Sequence, residues 1–185
     1  MDHFTIHTRG TAPDGSRDAL AALEQNIGFI PNLAATIADA PVAMASFVAQ
    51  QSALRGSTLT AQEREVVGLT VSAHNRCRYS LAAHATFALG AGATPAVVSA
   101  LRAADPLPDG RLEALHAFTQ AVLDRRGHVA AGDVDALIDA GYTREQLLEA
   151  LTQVAYTTLA NLVANVADTP VDAAFAPQDR AAAAA

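Results

Sequence analysis

Apolar residues recur at intervals of three and four along most of the chain, and Gly, Pro, Asp and Thr interrupt this pattern at short distances. Intervals of three and four place apolar side chains on one face of an α-helix. A half-buried β-strand needs strict alternation of apolar and polar residues, and no stretch between turn residues shows it. The pattern therefore predicts an all-α protein.

Helix start and stop signals divide this pattern into separate elements. The start signals are the capping boxes Thr60–Glu63 and Thr143–Gln146, the pair Thr94–Pro95, and Asp18 as the cap of the first helix. The predicted helices cover residues 19–27, 31–39, 41–55, 61–75, 78–90, 95–103, 111–126, 132–140 and 144–167. We predict an N-terminal arm over residues 1–17, a single helical domain over 18–170 and a C-terminal tail over 171–185.

Composition changes this picture in one respect, the expected packing. Hydrophobic residues make up 51% of the 185 residues, but aromatic residues only 5%, and Trp is absent. Alanine, the best helix former, supplies much of the apolar count. Small side chains allow close helix packing, so we expect Ala-rich faces to be buried between subunits of a homo-oligomer.

Charge and targeting signals narrow the possible partners and location. The net charge of −7 argues against a nucleic-acid-binding protein, which needs a basic stripe, and against docking on an anionic membrane. The N-terminus lacks a signal-peptide pattern, and no apolar stretch is long enough to span a membrane. With a single cysteine there is no internal disulfide, and we expect a cytoplasmic protein.

Four chemistry-bearing side chains cluster around the predicted break between two helices: Glu65, Cys77, Ser80 and His84. At about 100° per residue, Ser80 lies roughly 60° and His84 roughly 20° from Cys77, to the same side of the helix axis. Ser80 and His84 are also i,i+4 neighbours, so the imidazole can reach position 80. These residues are predicted to share one face.

The environment of this face favours proton and thiol chemistry. Free backbone N–H groups and the helix dipole favour a thiolate at Cys77, and the arginines on either side act in the same direction. Glu65 lies on the preceding helix, on a face that also carries Gly68 and Ser72. Two small residues beside a carboxylate permit close approach of a partner helix, so Glu65 is a candidate base or proton relay.

Each of these residues also has an ordinary structural interpretation. A lone Cys in an Ala-rich helix is usually a small buried side chain, and an isolated Glu is usually solvated. A metal site from His74, Cys77 and His84 is disfavoured because a helix break separates its members and a fourth ligand is missing. A Ser80–His84 nucleophile pair is disfavoured because no oxyanion loop is visible. Two further histidines are predicted to lie on the surface, His116 and His128.

The order Glu65, a twelve-residue step to Cys77-Arg-Tyr-Ser80, and His84 four residues later resembles the signature of the alkylhydroperoxidase-D and carboxymuconolactone decarboxylase family. That signature has Cys-x-x-Cys where this chain has Cys-x-x-Ser. Two flanking segments also resemble sequence motifs of the family, residues 28–32 (Gly-Phe-Ile-Pro-Asn) upstream and residues 161–172 downstream. The resemblance covers about residues 18–178.

The resemblance implies a helical fold, assembly into trimers or hexamers, and thiol-peroxidase or related chemistry without a cofactor or metal. It implies that Glu65 and His84 form a proton relay and that an external thiol or dithiol is the reductant. In the family the second cysteine is generally assigned the attack on peroxide, and here that position is Ser80, whose hydroxyl cannot form a sulfenic acid. Three explanations stay open: a natural one-thiol enzyme, a natural degenerate member, or a replacement made to trap the site.

The function expected from the sequence is that of an antioxidant oxidoreductase acting on hydroperoxides, with Cys77 as redox thiol, His84 and Glu65 as relay and Ser80 as hydrogen-bonding partner. Two alternatives belong to other classes. One is acid–base chemistry of the lactone-decarboxylase kind, which needs the retained Glu and His but no thiol oxidation. The other is a non-catalytic oligomeric protein that binds a small molecule in a degenerate site.

Overall fold

The computed structural model of the chain describes residues 4–183, with side chains described as far as residue 179. Within this range every regular element is a helix, which confirms the predicted all-α class. The helices are α1 (Asp14–Ile27), α2 (Asn32–Ile37), α3 (Pro41–Arg55), α4 (Ala61–His74), α5 (Arg78–Gly90), α6 (Pro95–Ala103), α7 (Gly110–Asp124), α8 (Ala131–Asp139), α9 (Arg144–Val166) and α10 (Ala176–Ala183). None of the described helices combines the length and apolar character that crossing a membrane requires.

Helix α4 is the centre of the fold. Every residue from Val66 to Ser72 is buried, as expected for a helix surrounded by others on all sides. It packs against α5, α6, α7 and α9. The core therefore has two parts, one between α4, α6, α7 and the start of α9, and the other between α1, α2, α3, α5 and the end of α9.

The predicted capping boxes are present. The Glu63 amide donates to Thr60 Oγ1 at 3.2 Å and the Thr60 amide donates to Glu63 Oε2 at 2.8 Å, and Thr143 and Gln146 repeat this arrangement at α9. Glu63 is buried, and its other oxygen accepts a hydrogen bond from Arg111 Nε on α7 at 3.0 Å. Burial alone would raise the pKa of Glu63, but the hydrogen bonds that the carboxylate accepts, first of all those from Thr60, together outweigh burial and lower that pKa. One residue thus caps α4 and joins it to α7.

Both ends of the chain differ from the predicted boundaries. Helix α1 begins at Asp14, so Asp18 lies inside the helix and does not cap it. The added turn packs on the start of α3, where a Cβ at Gly15 would lie 3.0 Å from Pro41 Cβ. Beyond Pro170, where a tail was predicted, the chain forms α10, which packs against α5. These boundaries depend on tertiary contacts that no local pattern records.

The prediction that His116 lies on the surface is wrong. His116 is only 1% exposed and packs in the core between α4 and α7, whereas His128 is exposed as predicted. The Thr70 hydroxyl donates to the Val66 carbonyl at 2.8 Å, so it accepts from His116 Nδ1, also at 2.8 Å. The signal missed was the apolar helical period on both sides of His116, which places it on the buried face of α7. Its burial lowers the pKa of His116.

Candidate active site

The turn between α4 and α5 is held by asparagines of α9. Asn75 Nδ2 donates to Asn161 Oδ1 at 3.0 Å, and Asn165 Nδ2 donates to the Asn75 carbonyl at 3.1 Å. The Cys77 amide donates to the Ser72 carbonyl at 2.9 Å, which closes the turn. Cys77 is the N-cap residue of α5, so the break predicted from sequence puts the thiol at the start of a helix.

Glu65 of α4 and His84 of α5 form the first contact of the site. His84 Nδ1 lies 2.7 Å from Glu65 Oε2, and the two side chains are 12% and 19% exposed. A Cβ at Gly68 would lie 2.6 Å from the His84 ring, so the close approach exists only because residue 68 has no side chain. The prediction that small residues on α4 admit a partner helix is confirmed at Gly68, whereas the Ser72 hydroxyl accepts a hydrogen bond from Asn161 of α9 at 3.3 Å.

Cys77 and Ser80 form the second contact of the site. Cys77 Sγ donates to Ser80 Oγ at 3.4 Å, and the two residues are 0% and 2% exposed. The structure thus brings all four predicted residues together, as one pair across α4 and α5 and one pair within the first turn of α5. The hydroxyl at position 80 stands next to the thiol.

An apolar cavity of about 80 Å³ borders these residues. Ser80 and His84 are part of its wall, while Cys77 is not. The aromatic residues of the wall are Phe47, Tyr79, Phe87, Tyr156 and Phe175. We call this space the inner cavity, and a molecule bound in it meets the hydroxyl and the imidazole before the thiol.

A second space of about 160 Å³ also borders His84. We call it the outer chamber. It shares Gln51, His84, Phe87 and Tyr156 with the inner cavity and adds polar residues, including Glu65. His84 therefore lines both an apolar space and a more polar one, and its carboxylate partner Glu65 lines only the polar one.

Tyr79, inside the Cys-x-x-Ser motif, has a structural role that the sequence did not indicate. Its hydroxyl donates to Asp172 Oδ2 at 2.6 Å, and the same carboxylate accepts from the Asn32 amide at 3.1 Å. Burial, followed by the bond to Asp172, raises the pKa of Tyr79. This contact ties α5 to the start of α2 and to the segment after α9. Phe175 packs edge-on against Tyr79 in the same wall.

The remaining candidate ligands do not converge on this site. His74 is the last residue of α4, and its Nδ1 lies 3.5 Å from Asp124 Oδ1 on α7. In the part of the chain that the structure describes, no three His, Cys, Asp or Glu side chains are arranged to hold a metal ion. The reactive groups of the site are a buried thiol, a hydroxyl and a carboxylate–imidazole pair.

The fold is shared with several solved structures. Over 96% of its length the chain matches the crystal structure of an alkylhydroperoxidase AhpD core, an uncharacterized peroxidase-related protein from Ralstonia eutropha JMP134, with a TM-score of 0.84, 26% identity and 95% of that chain covered. An uncharacterized peroxidase-related protein from Silicibacter sp. TM1040 matches with a TM-score of 0.81 and 21% identity, over 96% of this chain and 94% of that one. A debrominase in complex with 2,3,4-tribromopyrrole also shares the fold, with a TM-score of 0.79 and 19% identity over 95% of both chains.

One segment of the sequence matches a known family. Residues 41–123 match the Carboxymuconolactone decarboxylase family, and this segment contains all four residues of the candidate site. The resemblance drawn from the motif is therefore confirmed: the site lies in a carboxymuconolactone decarboxylase-family segment, within a chain that has the fold of peroxidase-related proteins. No curated protein sequence matches the chain.

Proposed function

We propose that the chain is a small-molecule enzyme in which His84, held by Glu65, transfers protons to and from a substrate in the inner cavity. The observation that carries this proposal is the 2.7 Å contact of His84 Nδ1 with Glu65 Oε2, made by a histidine that also lines the cavity. A carboxylate on one ring nitrogen fixes the tautomer and leaves Nε2 to accept a proton from the substrate. Glu65 then stabilises the imidazolium that forms.

The positions of Ser80 and Cys77 favour acid–base chemistry over thiol chemistry. Ser80 lines the cavity beside His84, where its hydroxyl can orient a polar group of the substrate. Cys77 has no exposed surface and lies behind Ser80. A substrate in the inner cavity therefore reaches the imidazole directly, but reaches sulfur only after Ser80 moves.

The test uses a neutral, β,γ-unsaturated γ-lactone, α-angelica lactone. A base removes a proton next to its carbonyl and the proton returns at the γ carbon, so the double bond moves into conjugation and ultraviolet absorbance rises. We expect His84→Gln and Glu65→Gln to slow this reaction by about a hundredfold or more, the usual contribution of a general base. Cys77→Ala is the matched control and should retain the rate. Wild-type turnover no faster than that of His84→Gln would contradict the proposal.

A second candidate is thiol-dependent reduction of hydroperoxides, which would make the chain an antioxidant oxidoreductase. The hydrogen bond from Cys77 Sγ to Ser80 Oγ supports it, because it places the thiol one hydroxyl behind the cavity wall. The Cys77 thiolate would attack the distal peroxide oxygen, an alcohol would leave, and a sulfenic acid would form. One external thiol would condense with that acid, releasing water, and a second thiol would regenerate Cys77.

The two candidates differ in their dependence on sulfur. Hydroperoxide consumption with a thiol reductant, compared between the wild type and Cys77→Ser, tests the second one directly. Turnover lost in Cys77→Ser supports it, and equal background rates in the two proteins contradict it. If neither reaction occurs, the remaining alternative is the non-catalytic protein that binds a small molecule in the inner cavity.

We further propose that the chain works in the cytoplasm as a homo-oligomer, a trimer or a hexamer. An exposed apolar stripe along α9 supports assembly, since large exposed apolar surfaces usually mark an interface. The exposed members of the stripe are Leu148, Ala155, Leu162 and Val166. An external thiol or dithiol would be the partner of the second candidate alone.

A further inference from the structure

The outer chamber carries two arginines beside the catalytic pair that we propose. Arg55 reaches it from the last residue of α3, and Arg64 from the first turns of α4. Arg64 Nη1 donates to the Leu59 carbonyl at 2.7 Å, which holds its guanidinium in place. Among residues 4–179, neither Arg55 nor Arg64 forms a salt bridge with a carboxylate.

The charges that face this chamber do not balance. Its one carboxylate is Glu65, which is engaged by His84. The other polar residues of the wall, Gln51, Gln153 and Tyr156, are neutral. Two guanidinium groups therefore stand beside a single carboxylate that already has a partner, and an anionic group entering the chamber would meet attractive charge.

The size of the inner cavity limits what can lie behind such an anion. Its volume of about 80 Å³ is roughly half that of a 150 Å³ protein cavity that holds benzene. A short alkyl chain or a small five-membered ring fits this space better than a substituted benzene ring. The inner wall is apolar, so this part of the ligand carries no charge.

We propose that the substrate is a short organic acid whose carboxylate binds between Arg55 and Arg64 while its apolar part enters the inner cavity past His84. This inference rests on the proposed function for its reaction, and adds the substrate class and two specificity-determining residues. Guanidinium groups suit a carboxylate because their planar N–H groups can pair with both of its oxygens. The reacting carbon would then lie near His84, between the two spaces.

Binding of three probes of equal chain length tests this inference. Hexanoate, hexan-1-ol and hexylamine are titrated into the wild-type protein at low salt, with calorimetry or ligand-observed NMR as readout. We expect hexanoate to bind tightest and hexylammonium weakest. The affinity for hexanoate should fall with added salt, because the outer chamber is open to solvent. Equal binding of hexanoate and hexan-1-ol, or preference for hexylammonium, would overturn the proposal.

Variants assign the effect to the two arginines. Arg55→Gln and Arg64→Gln together should weaken hexanoate binding by about tenfold, as expected for two partly solvated charge-assisted hydrogen bonds. Hexan-1-ol should bind these variants as it binds the wild type, which shows that the cavity is intact. Arg144→Gln is the matched control, since Arg144 is an exposed arginine of α9 outside both spaces. Loss of hexanoate binding in this control, or no loss in the double variant, would contradict the assignment.

The carboxylate site and the proton-transfer role can fail separately. His84→Gln should slow lactone isomerisation by about a hundredfold or more but keep the preference for hexanoate over hexan-1-ol. If the preference is present and isomerisation in the wild type is absent, the substrate class stands and the reaction is wrong. If isomerisation depends on His84 and the preference is absent, the proposed function stands and the carboxylate site is wrong.

Discussion

Ser80 Oγ accepts a hydrogen bond from Cys77 Sγ at 3.4 Å, and of these two residues only Ser80 lines the inner cavity. A molecule bound in the inner cavity therefore meets position 80. The family signature has its second cysteine at this position, and this chain has the Ser80 hydroxyl instead. The thiol that remains is fully buried behind it. This relationship leads us to place the chemistry on His84 and Glu65.

The contact between α4 and α5 depends on Gly68. A Cβ at this position would lie 2.6 Å from the His84 ring, closer than real Cβ contacts allow. Gly68→Ala should therefore displace the imidazole from Glu65 and reduce activity about as strongly as His84→Gln. Thermal unfolding would measure the effect of the substitution on stability, and lactone isomerisation its effect on activity.

Gly132→Ala is the control for Gly68→Ala. Gly132 lies in α8, and a Cβ there would have no neighbour within 4 Å. In an open helical site, Gly→Ala stabilises by about 0.5–1 kcal/mol. Stabilisation by Gly68→Ala comparable to that of Gly132→Ala, with full activity, would show that the helices can separate without cost.

The bond between Tyr79 and Asp172 should contribute to stability. Tyr79→Phe removes the donor and leaves the buried carboxylate with the Asn32 amide alone. We expect the free energy of unfolding to fall by about 1–3 kcal/mol, the cost of losing a buried hydrogen bond to a charged group. Urea denaturation of the wild type and Tyr79→Phe measures this change in the free energy of unfolding. A change near zero would mean that water or another donor replaces the phenol.

His116 should make the protein less stable in acid. Burial lowers the pKa of His116 in the folded state, so the unfolded chain takes up its proton first as pH falls below about 6.5. The stability that neutral His116 contributes is therefore complete above this pH and is lost as pH falls towards the folded-state pKa. Glu113, which raises the pKa of His116, reduces this loss but does not reverse it.

His116→Leu should remove that part of the pH dependence. The measurement is the free energy of unfolding of the wild type and the variant between pH 7 and pH 5. His128→Leu is the control, because His128 is exposed and should leave the pH profile as it is in the wild type. Parallel profiles for the wild type and His116→Leu would show that another group is responsible.

The stripe on α9 should hold copies of the chain together. Leu162 and Val166 are 56% and 72% exposed, at the end of a run with helical spacing. Leu162→Asp with Val166→Asp would place two charges in a buried interface, so we expect a smaller assembly by sedimentation at micromolar concentration. Ala131→Asp, on the exposed start of α8, should leave the assembly unchanged. A wild-type monomer at this concentration would contradict the proposal.

Local sequence signals predicted most of the helices, because caps act within one turn. Thr60 and Thr143 form the expected boxes, and Thr94 accepts a hydrogen bond from the Val97 amide. Gly28 ends α1 in the left-handed conformation that the glycine signal predicts. The i,i+4 spacing likewise placed the Ser80 hydroxyl and the His84 imidazole on one side of α5, where both line the inner cavity.

Features that depend on distant residues could not be predicted in this way. The burial of His116 depends on Thr70 in another helix, and the role of Tyr79 depends on Asp172, which lies 93 residues away. The sequence also contains no indication that Ser80, and not Cys77, faces the cavity. That distinction depends on which elements cover the first turn of α5, and a helical wheel gives only the direction of each side chain.

Whether the chemistry lies on His84 and Glu65 or on Cys77 is tested most directly by hydroperoxide consumption with a dithiol reductant. The proteins compared are the wild type, Ser80→Cys, Cys77→Ala and Ser80→Cys combined with His84→Gln. We predict that the wild type consumes hydroperoxide no faster than Cys77→Ala. Ser80→Cys should turn over, because sulfur then lines the cavity beside His84 and Cys77 can close a disulfide with it, and His84→Gln should remove the gain. Wild-type turnover that Cys77→Ala abolishes would contradict this assignment, since the buried thiol would then be the reacting group.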